Sequence, residues 1–292
     1  VTDVTIGAET KQRGIFIIML TEEQMASFRK NGYLNYGPVL TPSELHDLQE
    51  SLRKVEEGRS EKSPESKRNI SWGQDKGFVV TQIVNIWEAE PAFYRHLFND
   101  RIVPMAAQLM GSDTVRVWHD QVQVKPPRIG GPTTWHQDHP YWPVIQPADL
   151  VSAWVAIEDA VIDNGCMWMV PASHTWGPHR GGTIGTDEKT WGPTPDMSLL
   201  PEGVDVTPRP QEVPAGGVVF HHCLTWHGAP INLSEKNRPA IAVHYMPGWT
   251  RYEPTATGHM VEHHITVKPG EVLQGDHFPT VMENGEMFSP KE

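Results

Sequence analysis

The chain is poor in the features that would mark a disulfide scaffold, a membrane protein or a polyanion binder. It has two cysteines in 292 residues, Cys166 and Cys223, which lie far apart and form no CxxC pair. That excludes a disulfide framework and a zinc ribbon, and it fits a reducing compartment, so a cytoplasmic protein is expected. The longest apolar run, Ile15 to Leu20, is far too short to span a bilayer. Lys11 and Arg13 precede it, but no small-residue cleavage site follows, so it reads as a leading strand or ordered arm over residues 1–20. Positive charge is also scarce. Lys and Arg number 24 against 36 Asp and Glu, a formal net charge of −12. Nucleic acid and anionic membrane are therefore not expected partners. Oligomeric state is left open.

What is abundant is histidine, with 15 copies. Four residues stand out: His136 and Asp138 in WHQD, His227 in WHG, and Arg238 eleven residues later. Two imidazoles and one carboxylate can hold one face of a metal ion and leave the opposite face open, as in non-haem Fe(II) oxygenases. The arginine offers a planar fork for a carboxylate. HxD by itself is common by chance, so context decides. His136 and Asp138 are two apart, and on a strand both would face one side. Residues 114–124 alternate like a half-buried strand before the break at 125–131. Residues 217–222 read as a strand before His227, and Arg238 opens another at 240–245. Ligands at the ends of separate strands fit a metal inside a barrel mouth. A metal with a carboxylate clamp suggests an iron enzyme that consumes a keto acid.

These segments carry a family resemblance. HQDHPYWP at 136–143, Ala153-Trp154, NGCMWMVPASHTWG at 164–177, GGVVFHHCLTWHGAPINLS at 216–234 and RPAIAVHYM at 238–246 together resemble the phytanoyl-CoA dioxygenase family. The resemblance implies a mainly β protein with N-terminal helices, built on a double-stranded β-helix (a cupin-like jelly roll). It implies Fe(II) on His136, Asp138 and His227, with 2-oxoglutarate as co-substrate and O2 as oxidant. Arg238 would bind the distal carboxylate of 2-oxoglutarate. Trp154 would line the co-substrate pocket, and Gln121 and Gln82 fall at co-substrate-contacting positions. Succinate and CO2 would be released as an unactivated C–H bond of a small molecule is hydroxylated. Ala229 stands where some relatives carry a hydroxyl, which leaves the clamp resting on Arg238. Asp138 is a carboxylate, unlike the small residue of related halogenases.

The chain is expected to form an arm (1–20) and one catalytic domain (21–292). Its helical part covers about 21–111, its β core about 113–247, and a C-terminal wrap 248–292. Thr21-Glu22-Glu23-Gln24 and Thr41-Pro42-Ser43-Glu44 are capping-box openings, and Leu45, Leu48, Leu52 and Val55 form a helical stripe. One or two helices are expected over 91–109, and strands over 150–157 and 166–170. Residues 57–77 and 173–210 read as loops, the latter lying over the barrel mouth, and at least one of them is expected to fold over the metal when substrate binds. Cys223 reads as a buried hydrophobe rather than a metal neighbour, and His222 as structural but near the pocket. For His139 the choice is between a hydrogen-bond donor behind the metal ligands or a substrate contact on one side and a solvated loop position on the other. Arg128 and Arg180 read as solvated loop arginines, and no basic cluster is placed to take a CoA diphosphate. The alternatives are a metal-dependent hydrolase, which has no use for Arg238, and a non-catalytic or cupin-like binding protein, which has no need of the complete motif.

Overall fold

The computed structural model describes residues 10–12, 15–17, 19–72, 77–179, 203 and 205–291. Arg180 and most of the 173–210 stretch lie outside these residues. A short ladder pairs Thr10–Gln12 with Ile15–Ile17, in keeping with a leading strand.

Two helices start as their capping boxes require. Glu22–Asn31 opens on Thr21, whose side chain accepts from Gln24 N while the Gln24 side chain accepts from Thr21 N. Pro42–Glu56 opens the same way on Thr41 and Glu44, and buries Leu48, Leu52 and Val55. Leu45 of the expected stripe is only half-buried. The 91–109 region splits into Pro91–Leu97 and Ile102–Met110, and the latter ends on Gly111 at φ +66°. The first six residues of Ile102–Met110 are buried.

Eight of the strands that follow lie in two antiparallel sheets, and the path crosses between the sheets at every step but the one from 167–169 to 209–211. Val115–Lys125, Val151–Ala156, Gly217–His222 and Arg238–Pro247 belong to a large sheet. Thr133–His136, Met167–Met169, Arg209–Gln211 and His227–Ala229 form a small one, ordered 209–211, 167–169, 227–229, 133–136. In the large sheet 238–247 sits between 115–125 and 151–156, and 217–222 follows. This is the two-sheet interleaving of a double-stranded β-helix.

The side-chain period of two divides each large-sheet strand between two environments. Val151, Ala153, Val155, Val218, Phe220, Ile241, Val243 and Tyr245 pack outward under Ile102, Val103, Met105 and Ala106 of the helices. Trp154, Ala156, Val219, Ala240 and Ala242 pack inward with Met167 and Met169 of the small sheet. The helices thus seal one face of the large sheet, and the other faces the barrel interior where the site lies.

Three parts differ from the sequence reading. The helical part also contains the strands Tyr33–Pro38 and Phe78–Val84, which pair with 217–222 and 115–125. Residues 57–77 are not a loop throughout, since Ser66–Trp72 pairs with all of Phe78–Val84 as a hairpin. Its charged residues, Lys67 and Arg68, are those an edge strand tolerates, so the absence of an apolar rhythm did not exclude a strand. The C-terminal part does more than wrap the outside: Thr280–Glu283 and Glu286–Met287 extend the large sheet, and Val261, Leu273, Phe278 and Val281 are its buried anchors. Ile265 and Val267 are half-buried. No helix among the described residues is long and apolar enough to cross a membrane.

Candidate metal centre

His136 ends the 133–136 strand and His227 begins 227–229, where the two residues are register partners. Asp138 lies in the turn just beyond. His136 Nε2 and His227 Nε2 stand 3.5 and 3.6 Å from Asp138 Oδ1. Ligands about 2.1 Å from an octahedral ion lie roughly 3 Å apart along one face, so both ring nitrogens are nearly at that spacing from the carboxylate oxygen. Gly228 makes the close strand approach possible. A Cβ there would sit 3.0 Å from the Thr133 carbonyl oxygen.

The ring orientations are fixed from behind. His136 Nδ1 lies 2.7 Å from the Thr134 carbonyl oxygen, and His227 Nδ1 lies 2.9 Å from that of Thr225. An Nδ1–H donating to a carbonyl leaves the Nε2 lone pair free and aimed inward. Asp138 is oriented equally firmly. Its Oδ2 accepts from Ser152 Oγ at 3.1 Å and from His221 Nε2 at 3.0 Å, so Oδ1 is the oxygen that faces the histidines. Ser152 Oγ in turn accepts from His244 Nδ1 at 2.7 Å. Burial alone would raise the Asp138 pKa, but the imidazoles of His227, His136 and His221 outweigh it and hold the carboxyl well below its usual range. Burial, and then His136, push His227 well below the usual histidine range, against the pull of Asp138.

Deeper in the same cavity lies Arg238, 1% exposed, with its guanidinium carbon 5.4 Å from the Trp154 ring centroid. Burial lowers its pKa to about 10, which still leaves it cationic at neutral pH. Among the described residues its Nε and Nη1 have no hydrogen-bond partner. Beside it in the ladder is Lys125, fully buried, whose Nζ donates to the carbonyl oxygens of Ala229 (3.2 Å) and Pro230 (2.6 Å). A buried guanidinium with unpaired donors is costly unless an anion completes it. The cavity therefore matches a ligand with one end at the three-residue cluster and a carboxylate at Arg238.

Of the sequence-selected residues, His136, Asp138, His227, Arg238, Trp154 and Gln121 share this cavity. Gln82 lines an outer cleft instead and reaches inward through Gln121, donating to its Oε1 at 2.7 Å. Cys223 is buried in an apolar cluster, as expected. His221 rather than His222 faces the cavity; His222 turns away and accepts from Leu224 N. His139 is neither a pocket contact nor solvated. It is buried, its Nε2 2.9 Å from the Ile145 carbonyl oxygen. Arg128 is an exposed partner of Glu235. Gln137, between the two ligands of the HxD, grips the described start of the long loop through Gly177 O and His179 N. Sequence reasoning missed His221, His244, Ser152 and Lys125. Alternation from Trp154 and Arg238 places Ser152 and His244 on the inner face, and that signal was readable.

The outer cleft opens onto the cluster and holds about 330 Å³. The hairpin supplies Arg68, Ile70, Gln82 and Val84; Tyr141, Trp142, His259 and Met260 close the other side.

A family model described as phytanoyl-CoA dioxygenase (PhyH) matches residues 28–240. A probable phytanoyl-CoA dioxygenase from Caenorhabditis elegans is 28% identical over 243 residues, covering 78% of this chain and 75% of that protein. Among solved structures, the non-heme alpha-ketoglutarate-dependent carbocyclase SnoK from nogalamycin biosynthesis is similar at a TM-score of 0.70 and 28% identity, with 90% of this chain and 97% of that chain covered. The epimerase SnoN, solved with Fe3+, alpha-ketoglutarate and nogalamycin RO, shares the fold at a TM-score of 0.68 and 24% identity, over 89% of this chain and 97% of that one.

Proposed function

The chain belongs to the phytanoyl-CoA dioxygenase family and is a 2-oxoglutarate-dependent non-haem iron dioxygenase, and we propose that it hydroxylates an unactivated C–H bond of a small molecule. In this reading His136, Asp138 and His227 hold Fe(II), and Arg238 holds the distal carboxylate of 2-oxoglutarate. One observation carries it: a buried guanidinium, whose Nε and Nη1 have no partner among the described residues, lies in the same cavity as a two-histidine, one-carboxylate cluster. Bound there, Fe(II) with 2-oxoglutarate supplies dioxygen activation coupled to release of succinate and CO2.

The chain's own residues do the rest. Ser152 and His221 occupy Asp138 Oδ2, so Oδ1 is the oxygen that would hold the ion. Trp154 gives the guanidinium an aromatic floor, and Gln121 and Gln82 form a polar wall toward the cleft. Tyr141, Trp142, Ile70, Val84 and Met260 suit a substrate with an apolar body, and the cleft volume suits one of modest size. Arg68 is the one arginine or lysine lining the cleft among the described residues, and its guanidinium donates to Gln82. A CoA diphosphate would call for a denser set of cations. A hydrolase reading leaves Arg238 without a task.

Anaerobic reconstitution with Fe(II) and 2-oxoglutarate, followed by oxygen and a panel of small apolar metabolites, tests this. The expected result is substrate-dependent succinate release with oxygen incorporated into the product. Turnover that needs no oxygen would overturn the proposal in favour of a hydrolase.

A further inference from the structure

A second group of metal-ligating side chains lies outside the cavity. Glu65 precedes the 66–72 strand, and Glu88 closes the turn Ile86–Glu88. His264 ends the turn Glu262–His264, and His277 precedes the buried Phe278. One ligand atom from each of the four lies within 4.8 Å of all the others. Four segments distant in sequence converge here, so the grouping is a product of the fold. Tetrahedral ligands at about 2.0–2.2 Å from a zinc ion stand roughly 3.3 Å apart, and shifts of about an ångström would close the group to that spacing.

Among the described residues the two carboxylates are faced by histidines alone, and His263, outside the group, also brings its Nε2 to 3.7 Å from Glu65 Oε1. His264 Nε2 lies 2.9 Å from Glu65 Oε2, and His277 Nδ1 lies 3.3 Å from Glu88 Oε1. The two imidazoles stack at 3.4 Å with 11° between their planes. Two protonated rings cannot rest that close without strong repulsion. Burial, and then His264, lower the His277 pKa to about 4, so this ring is neutral. Burial, and then the Glu65 carboxylate, raise the Glu88 pKa. Among the described residues neither carboxylate has a lysine or arginine partner. The side chains are 12–28% exposed, which leaves the carboxylates partly desolvated yet reachable by an ion from solvent.

We propose that Glu65, Glu88, His264 and His277 form a structural site for a borderline divalent cation of the zinc type. Two imidazoles and two carboxylates suit such an ion better than calcium or magnesium, which take oxygen ligands alone. Four protein ligands fill a tetrahedron and leave no open position, so the site is structural rather than catalytic. Asn85 Nδ2 now engages His277 Nε2 at 2.9 Å. On loading, the ion takes Nδ1, the ring proton moves to Nε2, and the Asn85 amide turns its oxygen there, giving up its contacts from Trp87 Nε1 at 3.2 Å and Asp120 N at 3.4 Å. The consequence is mechanical. Glu65 anchors the hairpin whose Arg68 and Ile70 form one wall of the cleft, and His264 follows closely on His259 and Met260 of the other. An ion at this point ties the two walls together.

The test uses the full chain, stripped of metal and titrated with Co(II), and it does not depend on the iron reading. Wild type should take two equivalents, one of them giving the strong visible absorption of four-coordinate Co(II). The E65Q/H264Q variant should lose that band and one equivalent, with affinity at this site down at least tenfold. The H136A/H227A variant should keep the band. Thermal unfolding of the metal-free E65Q/H264Q variant, matched to metal-free wild type, guards against simple misfolding. If that variant does not fold, the H136A/H227A protein decides alone, because this site is then the one left to bind. A missing band in H136A/H227A, or a retained band in E65Q/H264Q, overturns the proposal.

Discussion

His136 and His227 face each other across one rung of the small sheet, their ring centroids 4.1 Å apart. Each is turned by an Nδ1 contact to the carbonyl oxygen two residues before it, Thr134 for one and Thr225 for the other. The ladder sets the spacing and the backbone sets the tautomer, so the two Nε2 atoms converge before any ion arrives. A pre-formed site of this kind avoids most of the ordering cost of binding.

The first prediction concerns that rung. His136→Ala and His227→Ala should each lower Fe(II) affinity by at least 100-fold and abolish succinate formation, while the fold stays intact by circular dichroism. Ligand removal acts on the ion directly, since two of three ligands make a poor facial site. Iron titration under anaerobic conditions checks this; unchanged affinity in both variants would refute the assignment.

A second prediction separates co-substrate from metal. Arg238→Ala should leave Fe(II) affinity nearly unchanged and weaken 2-oxoglutarate binding by about 3–5 kcal/mol, the usual cost of leaving one partner of a buried charge pair alone. Arg238→Lys should recover only part, because an ammonium cannot make the bidentate fork. The apparent 2-oxoglutarate KM of the three proteins reads this out. An unchanged KM in Arg238→Ala would remove the residue from the site.

Much of this site is legible in the amino-acid sequence. HxD, the distant histidine and the arginine lie at strand ends, and strand ends show up as alternation broken by Pro and Gly. The capping boxes at Thr21 and Thr41 are equally plain, because capping is a local interaction between residues three apart. The hairpin strand at 66–72 is not, since an exposed edge strand has no buried face to impose a rhythm. His221 is hidden for a subtler reason. Adjacent histidines on a strand must face opposite ways, but the sequence does not say which one points inward. That choice is set by Phe220, whose burial under the helices fixes 219 and 221 on the inner face. Gln82 reaches the site only through Gln121, a contact between neighbouring strands that no spacing encodes. The Glu65, Glu88, His264, His277 group leaves no sequence signature because its members come from four separate segments.

The third prediction addresses how Asp138 is held. Ser152→Ala removes one of the two donors on Oδ2 and breaks the chain to His244. Ser152 touches no reacting atom, so it is a positioning residue. Losing such a contact behind a metal ligand typically costs 10–100-fold in metal affinity. Ser152→Ala should therefore need roughly tenfold more Fe(II) for half-maximal activity, with kcat at saturating iron changed less. Ser152→Thr, which keeps the hydroxyl, should restore most of the affinity. A purely structural effect would lower thermal stability without moving the iron dependence.

The last prediction is about acid stability and concerns His96, which lies outside the cavity of His136, Asp138 and His227. This side chain is buried beside Glu44 and Arg101, and among the described residues its Nε2 has no partner. Burial lowers its pKa to about 4. In the unfolded chain the value returns to roughly 6.5, so unfolding takes up a proton throughout the window between them. The sign follows. Stability is full above about pH 6.5 and falls as pH drops toward 4, because the unfolded state binds more protons there. At pH 5 the loss from this one residue is about 2 kcal/mol relative to pH 7.5, taking 1.36 kcal/mol per pH unit over the 1.5 units below 6.5. His96→Gln removes the titration while keeping a polar side chain of similar size. Urea unfolding at pH 7.5 and pH 5 should show a pH-dependent loss about 2 kcal/mol smaller in His96→Gln than in wild type, whatever the absolute stability of the variant. An equal loss in both proteins would mean that the ring is already protonated in the folded state.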